Sequence, residues 1–163
     1  MDNISRDILQ KTMRFLTLKG YKVLSEFALP NKKRVDIIAL SEKKKIIIVE
    51  VKSNKKDIKT DKKWKNYLKY CNYFYFSCND NLKDLNFSEN VGIIKNNSKE
   101  TKIVKSPKYK KLSKNTKDLL IFKIALSASS KFHRLVDPEF KKQKNNSIYI
   151  YKKINSKNWR FKL

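Results

Sequence analysis

The sequence has few of the residues that build the commonest ligand sites. Its 163 residues include two glycines, two cysteines and one histidine, His133. Two glycines are too few for a GxGxxG loop, and Gly20 and Gly92 lie too far apart for a P-loop; both loops cradle phosphates. The cysteines, Cys71 and Cys78, form neither a CxxC motif nor a disulfide framework, and a lone histidine has no second ligand with which to hold zinc. We therefore expect two reduced, buried thiols and a histidine with a structural place in its helix.

Long apolar runs are also missing. No stretch approaches the roughly 20 apolar residues that a membrane-spanning helix needs. The N-terminal segment carries Asp2 and Asp7 and has no continuous apolar core, so no signal peptide is predicted. We expect a soluble, cytoplasmic protein with no membrane partner, whose oligomeric state the sequence leaves open.

Acidic residues are scarce relative to basic ones. There are 15 acidic and 40 basic residues, giving a formal net charge of +25 and a pI near 10.0. A field of this strength favours a polyanionic partner, and nucleic acid is the first candidate. Most of the basic residues are lysine, which an AT-rich coding sequence would also produce, so charge alone is suggestive and not specific.

The most informative stretch is a predicted hairpin that contains charged residues. Val35 to Leu40 and Ile46 to Val51 are rich in β-branched residues and are joined by a short polar turn. Asp36, Glu50 and Lys52 fall within or directly beside these strands. Burying an unpaired charge costs several kcal/mol, so three charges in an apolar hairpin indicate a function.

Strand alternation predicts where these charges lie. Asp36 shares a face with Ile38, while Glu50 and Lys52 share one with Ile48. An odd number of turn residues places Ile38 opposite Ile48 and Asp36 opposite Glu50, with Cβ atoms about 4.5 to 5.5 Å apart. Two carboxylates at that distance can share a hard cation, and without it one of them must take up a proton. We predict a Mg²⁺ site that acts on a phosphate.

The same register places Arg34 opposite Lys52. A third acid, Glu26, falls on the strand before the hairpin, and two interpretations of it stay open. It is either a further metal ligand on the Asp36 face or an exposed glutamate at the sheet edge.

Several further elements follow from periodicity and breaker residues. We expect a helix capped by Asn3 and running to about Lys19, with Gly20 as its stop. The remaining predictions are a strand over 21–29, a helix over 57–70, a strand over 72–77, a weaker hairpin of 91–95 with 101–104, and a helix from 113 to about 136 with a stripe of Ile121, Ala125, Ala128, Phe132 and Leu135. This order is that of a small α/β or α+β domain.

The residues of the hairpin resemble the skeleton of the PD-(D/E)xK nucleases, with Asp36 on one strand and Glu50-Val51-Lys52 on the next. In that chemistry the two carboxylates and the Val51 carbonyl would hold Mg²⁺, which lowers the pKa of a bound water and neutralises charge on the scissile phosphate. Lys52 would orient or deprotonate the attacking water. The first motif residue here is Val35 instead of proline.

A longer segment, from Arg34 to Phe76, resembles the MmcB-like DNA repair proteins. Apart from the three catalytic candidates, the matching positions are Glu26, Arg34, Ser53, Asp57, Asp61, Lys63, Trp64, Tyr67, Tyr70 and Cys71. The resemblance covers roughly residues 5 to 140. It implies a restriction-endonuclease-like core with an N-terminal helix, a central mixed sheet containing the hairpin 34–52, and flanking helices. It also implies DNA and repair proteins as partners, and Mg²⁺ or Mn²⁺ as the cofactor.

The resemblance also bears on the segment after the hairpin. Asp61 and Lys63 would lie next to the metal face, with Lys63 and Tyr67, together with Arg34, as contacts to nucleic acid. From the residues alone, Asp61 braces the helix and Trp64 is core. Asn72 stands where the family pattern leads us to expect an acid.

Residues 141–163 fall outside the resemblance. We predict a nuclease domain over 1–140 and a basic, aromatic extension over 141–163. The extension is either an arm whose aromatic rings stack on bases or a strand, Ile148 to Tyr151, that docks on the sheet.

The leading interpretation is a Mg²⁺-dependent DNA endonuclease that acts in repair. The alternative is a module of the same fold that binds nucleic acid and recruits repair proteins but does not cut. An RNA-directed nuclease also stays open, because no signature of 2′-hydroxyl recognition can be read.

Overall fold

The computed structural model describes residues 2–54, 61–81, 87–137 and 139. Its elements, in chain order, are α1 (Asn3–Leu18), β1 (Lys22–Ala28), β2 (Arg34–Leu40), β3 (Ile46–Lys52), two 3-10 helices (Lys63–Asn66 and Leu68–Tyr70), β4 (Tyr73–Asn79), β5 (Val91–Asn96), β6 (Thr101–Lys105) and α2 (Lys114–Val136). The predicted mixed α+β class is confirmed.

The six strands form one sheet in sequence order. β3 pairs in parallel with β4, and β4 in parallel with β5, while the other three pairs are antiparallel. Parallel neighbours need a crossover connection, and the chain between β3 and β4 includes the two 3-10 helices. The carboxyl end of β3, which carries Glu50 and Lys52, therefore lies where the chain enters this crossover connection.

The register of the hairpin is the predicted one. Leu40 pairs with Ile46 and Ile38 with Ile48. The turn over 41–45 is closed by the Ser41 N–H, which donates to the carbonyl of Lys45 at 3.0 Å. An odd turn length therefore aligns the charged ends of β2 and β3.

Each face of the sheet carries its own apolar cluster. One cluster joins Ile8 and Leu16 of α1 to odd-numbered residues of β2 and β3, including Ile37 and Val49. The other contains Ile38, Ile48, Phe74, Phe76 and, from α2, Leu120 and Ile124. The two faces are thus both covered, which explains why β3 is buried at every position from Ile46 to Val51.

Two sequence predictions about helices need correction. The N-cap of α1 is Asp2, not Asn3, because the Asp2 carboxylate accepts the Ser5 N–H at 2.6 Å and Asn3 is already helical. The described part of the predicted helix 57–70 forms two 3-10 turns instead of an α-helix. There Trp64 stacks on Phe74 with ring centroids 5.7 Å apart, so aromatic packing against β4 overrides helical periodicity. Residues 57–60 lie outside the described residues.

The last helix forms as predicted, but its buried residues are not those of the predicted stripe. α2 buries Leu120 and Ile124, whereas Phe132 and Leu135 of the predicted stripe are exposed. The contacts between residues divide the protein into two compact units, residues 1–124 and 125–163. The predicted extension 141–163 and its Ile148 to Tyr151 strand lie outside the described residues, so the boundary after residue 140 stays a prediction.

Among the described residues, no helix has the length and hydropathy that a membrane span requires.

Candidate functional site

Asp36 and Glu50 are linked through reciprocal contacts at the end of the hairpin ladder. Backbone pairing between β2 and β3 reaches Ile37 and Val49 and goes no further. Beyond it, the Val51 N–H donates to Oδ2 of Asp36 at 2.8 Å, and the Asp36 N–H donates to Oε1 of Glu50 at 3.3 Å. Each carboxylate thus takes a backbone donor of the opposite strand, which brings the two acids together as the sequence predicted.

Burial makes both carboxyl groups hard to ionise. Burial raises the pKa of Glu50 from 4.5 to about 8, and the negative charge of Asp36 adds to the shift. Burial also raises the pKa of Asp36, although its hydrogen bond from Val51 opposes the change. The Glu50 residue is only 8% exposed. Both carboxyl groups are therefore harder to ionise than an exposed acid, and uptake of a proton by the pair in the absence of a cation stays a prediction.

Lys52 extends from the same strand and binds Asp61. The Lys52 Nζ lies 2.6 Å from Asp61 Oδ2, and the two side chains are only 15% and 10% exposed. The ammonium also lies 5.9 Å from the centre of the Phe76 ring. Burial acts to raise the pKa of Asp61, but hydrogen bonds from Lys52 and from the Lys63 N–H outweigh it and hold that pKa below its usual value. Asp61 is therefore ionised, and it fixes Lys52 beside the acid pair.

Glu26 lies opposite Asp36 but is held by another residue. The pairs Ser25–Ile37 and Phe27–Val35 flank it, and Glu26 itself has a φ of 51°, which is uncommon for a residue other than glycine. Its Oε2 lies 2.6 Å from Nε of Arg34. The negative charge of Glu26 still contributes to the raised pKa of Asp36. Glu26 as a ligand and Arg34 as a DNA contact stay predictions.

The acids at this site do not form a larger ligand cluster. Within the described ranges, no group of three or more His, Cys, Asp or Glu side chains is placed to hold a metal ion. His133, on α2, lies 4.0 Å from Asp137, its neighbour one turn away. The acid pair thus offers two carboxylates, and any further ligand would come from Val51, Glu26 or water.

Comparison with known proteins decides the family. A family model described as "DNA repair protein MmcB-like" matches residues 3–139, which is most of the chain. The chain belongs to the MmcB-like family. Its role in DNA repair follows from that membership. A search of curated protein sequences gives no significant match.

A solved structure with the same fold supports the architecture of this MmcB-like chain. It is the SPO1766 protein of unknown function from Silicibacter pomeroyi, with 27% sequence identity and a TM-score of 0.78. The match covers 85% of this chain and 94% of the other. The overall fold is thus shared with a protein of quite different sequence.

Two predicted DNA contacts of the MmcB-like chain differ in exposure. Lys63 is exposed, and its N–H donates to Oδ1 of Asp61 at 2.7 Å. Tyr67 is buried against Phe74. Burial raises the pKa of Tyr67 to about 12, and the negative charges of Glu50 and Asp61 add to the shift, so the phenol stays protonated and faces the acids as a neutral group. Both contacts stay predictions.

The hydrogen bonds of Asn72 explain why an amide stands where the family pattern leads us to expect an acid. Its Oδ1 accepts the Ile46 N–H at 2.8 Å, and its Nδ2 donates to the carbonyl of Lys110 at 2.8 Å. A carboxylate could accept the first bond but could not donate the second. The amide therefore ties the segment after β6 to the starts of β3 and β4.

The contact that sequence reasoning missed is Asp61 with Lys52. Asp61 had matched the family pattern, but its predicted role was to brace a helix. The available signal was an acid that follows the hairpin within a lysine-rich run. Strand and helix patterns carry no information on how a crossover returns to a strand end, so the partner could not be identified.

Proposed function

We propose that this MmcB-like chain is a Mg²⁺-dependent DNA endonuclease that hydrolyses phosphodiester bonds during DNA repair. The fold would then be a restriction-endonuclease-like core with a PD-(D/E)xK site. The observation that carries the proposal is the pairing of half-buried Asp36 with buried Glu50, with Lys52 two residues beyond Glu50 on the same strand. A buried acid pair beside a lysine is costly to maintain and is typical of functional sites.

The donor set suits a hard divalent cation. Burial raises the pKa of both Asp36 and Glu50, and the negative charge of Asp36 adds to the shift of Glu50. A cation between the two carboxylates would offset these negative charges. We propose Val51, through its carbonyl, and Glu26 as further ligands, with Mn²⁺ able to replace Mg²⁺. The ion would lower the pKa of a bound water and offset charge on the scissile phosphate.

The remaining residues would bind and orient. The Lys52 ammonium has three N–H donors, and one of them donates to Oδ2 of Asp61. The other two would be able to reach a phosphate oxygen or the attacking water. Asp61 would keep the ammonium at the site instead of in solvent. Arg34, Lys63 and the Tyr67 hydroxyl are the proposed contacts to the DNA backbone.

A second candidate is a non-cutting module that binds nucleic acid and recruits repair proteins. It is favoured by one observation, the close pairing of Lys52 with Asp61, which neutralises the ammonium that a nuclease would use. In this case the acid pair would stay protonated and the basic surface would supply the binding.

A cleavage assay separates the two. The full chain is incubated with nicked, branched and single-stranded DNA in Mg²⁺, in Mn²⁺ and in EDTA. We expect cleavage that needs the metal and that falls at least about 100-fold in Glu50→Gln and in Asp36→Asn. Glu100→Gln, an exposed glutamate paired with Lys102, is the matched control and should cut like the wild type.

Each other outcome has a meaning. Equal cleavage by wild type and Glu50→Gln would assign the activity to a contaminant or to another site. No cleavage, together with DNA binding that is the same in EDTA and in Mg²⁺ and is unaltered by Glu50→Gln, would support the binding module instead.

A further inference from the structure

A cluster of aromatic and basic side chains lies at the other end of the sheet from the acid pair. Tyr109, after β6, packs edge-on against Tyr73 at the start of β4, with ring centroids 5.5 Å apart and an interplanar angle of 62°. The Nζ of Lys45, just before β3, lies 5.9 Å from the centre of the Tyr73 ring. We call Lys45, Tyr73 and Tyr109 the tyrosine patch.

The position of the patch separates it from the acid pair. β3 has seven residues, from Ile46 to Lys52. At about 3.3 Å per residue, the strand places roughly 20 Å between Lys45 at its start and Lys52 at its end. The patch is therefore separate from the acid pair, and none of its residues belongs to the proposed catalytic site.

Tyr109 is exposed but held in place. It is 49% exposed, so about half of its surface is open to solvent. On one side the Lys108 N–H donates to the carbonyl of Glu89 at 2.7 Å, and on the other the Lys110 N–H donates to the carbonyl of Asn72 at 2.9 Å. Since the backbone is fixed on both sides of the ring, binding a ligand there costs little further ordering.

The surroundings of the ring are cationic. Lys108, Lys110 and Lys111 are exposed neighbours of Tyr109 along the chain, and Lys45 adds a fourth ammonium. Glu89, paired with Lys108 at 3.2 Å, offsets one of these charges. Half-exposed rings bordered by ammonium groups have the chemistry that single-stranded nucleic acid requires, because bases stack on the rings and phosphates meet the cations.

We propose that the tyrosine patch binds single-stranded DNA, with an unpaired base stacked on Tyr109 and the adjacent phosphate near Lys45. Duplex DNA does not present free base faces, so the patch discriminates between the two forms. The inference goes beyond the proposed nuclease function and does not depend on the acid pair or on a metal.

The test is fluorescence anisotropy with a labelled oligothymidylate and with a duplex of the same length, using the full chain in EDTA. Stacking on one aromatic ring contributes about 1 to 3 kcal/mol per base, so Tyr109→Ala should raise the Kd for the single strand by roughly 5- to 150-fold. Tyr109→Phe keeps the ring and should bind like the wild type. Phe122→Ala, which removes a 61% exposed ring on α2, is the matched control and should change little.

Lys45→Gln provides a second test that leaves the aromatic packing in place. It should weaken binding of the single strand and reduce the dependence of log K on log salt concentration by about 0.7 to 1. The inference is overturned if Tyr109→Ala binds the single strand within about twofold of the wild type, or if it loses duplex binding equally. EDTA removes any cleavage, so loss of the proposed nuclease activity and loss of this site would be observed in separate assays.

Discussion

The Nζ of Lys52 lies 2.6 Å from Oδ2 of Asp61, and both side chains are almost fully enclosed. Lys52 comes from the end of β3 and Asp61 from the crossover that leads to β4. One ion pair thus joins the strand that carries Glu50 to the segment that covers it. The pair has consequences for both stability and activity.

Asp61→Asn should destabilise the protein by about 3 kcal/mol, because the substitution leaves the Lys52 ammonium enclosed without a counter-charge. Urea denaturation measures the change. Asp7→Asn is the matched control, since the ion pair of Asp7 with Lys11 on α1 is more exposed and should contribute less than about 0.5 kcal/mol. A small, equal effect of both substitutions would contradict the enclosed ion pair.

In a nuclease, the effects of Asp61→Asn and Lys52→Met on cleavage should not add. Lys52→Met should lower the rate by roughly 100-fold or more, since it removes the proposed proton-handling group. If Asp61 acts by positioning Lys52, Asp61→Asn should lower kcat in the wild type but have little further effect in Lys52→Met. Rate losses that multiply in the double variant would refute the positioning role.

Stability should fall as pH rises in the absence of metal. The folded pKa of Glu50 is about 8, against an ordinary value of 4.5, so between these values the folded chain binds more protons than the unfolded chain. The linked stability is complete below about pH 4.5 and is lost as pH rises through about 8, with a slope of up to about 1.4 kcal/mol per pH unit. Thermal unfolding in EDTA across this range measures it.

The pH dependence has a specific control. Glu50→Gln should flatten the slope over this range, because the amide does not titrate, whereas Glu100→Gln should keep it. A slope that survives Glu50→Gln unchanged would assign the titration to other groups.

Divalent cations should stabilise the protein in proportion to ionisation of the acid pair. A cation at 100 times its Kd adds about 2.7 kcal/mol to the free energy of unfolding. We expect Mg²⁺ or Mn²⁺ to raise the Tm more at pH 8 than at pH 6. At pH 6 a larger fraction of the acid pair is protonated, and the cation must displace that proton to bind. Asp36→Asn should abolish the shift. An equal shift in that variant would mean that the ion binds elsewhere.

Asn72→Asp should cost about 1 to 3 kcal/mol, despite being the change toward the family pattern. The carboxylate would still accept the Ile46 N–H but would leave the carbonyl of Lys110 without its donor. Chemical denaturation measures the loss. Asn31→Asp is the control, because Oδ1 of Asn31 accepts the Lys33 N–H at 3.2 Å, and a carboxylate does the same.

The hairpin could be predicted from the sequence because its determinants are local. β-Branched residues specify both strands, and the odd number of residues between Leu40 and Ile46 fixes the register. With that register, the facing positions of Asp36 and Glu50 follow from strand geometry alone. The raised pKa of Glu50 follows in turn from its burial and from the nearby charge of Asp36.

Features that depend on distant contacts could not be predicted. The segment 61–70 has helical spacing, but its rings pack on β4, and the backbone adopts 3-10 turns to allow that packing. Leu120 and Ile124 of α2 are buried in the cluster that contains Ile38 and Phe74, so their burial depends on contacts with the sheet and not on helical periodicity alone. The Lys52–Asp61 pair depends on the path of a crossover, which no local pattern encodes.

The hydrogen bond from Val51 to Asp36 changes how substitutions at this site should be interpreted. Oδ2 of Asp36 takes a backbone donor at the point where the ladder ends. Asp36→Ala would remove a carboxylate and would also leave the Val51 N–H without its acceptor. A loss of activity in that variant would therefore combine the loss of a reacting group with a disturbance of the local structure. Asparagine retains an acceptor at the same reach, and comparison of the two variants therefore distinguishes a residue that reacts from one that only holds the strands together.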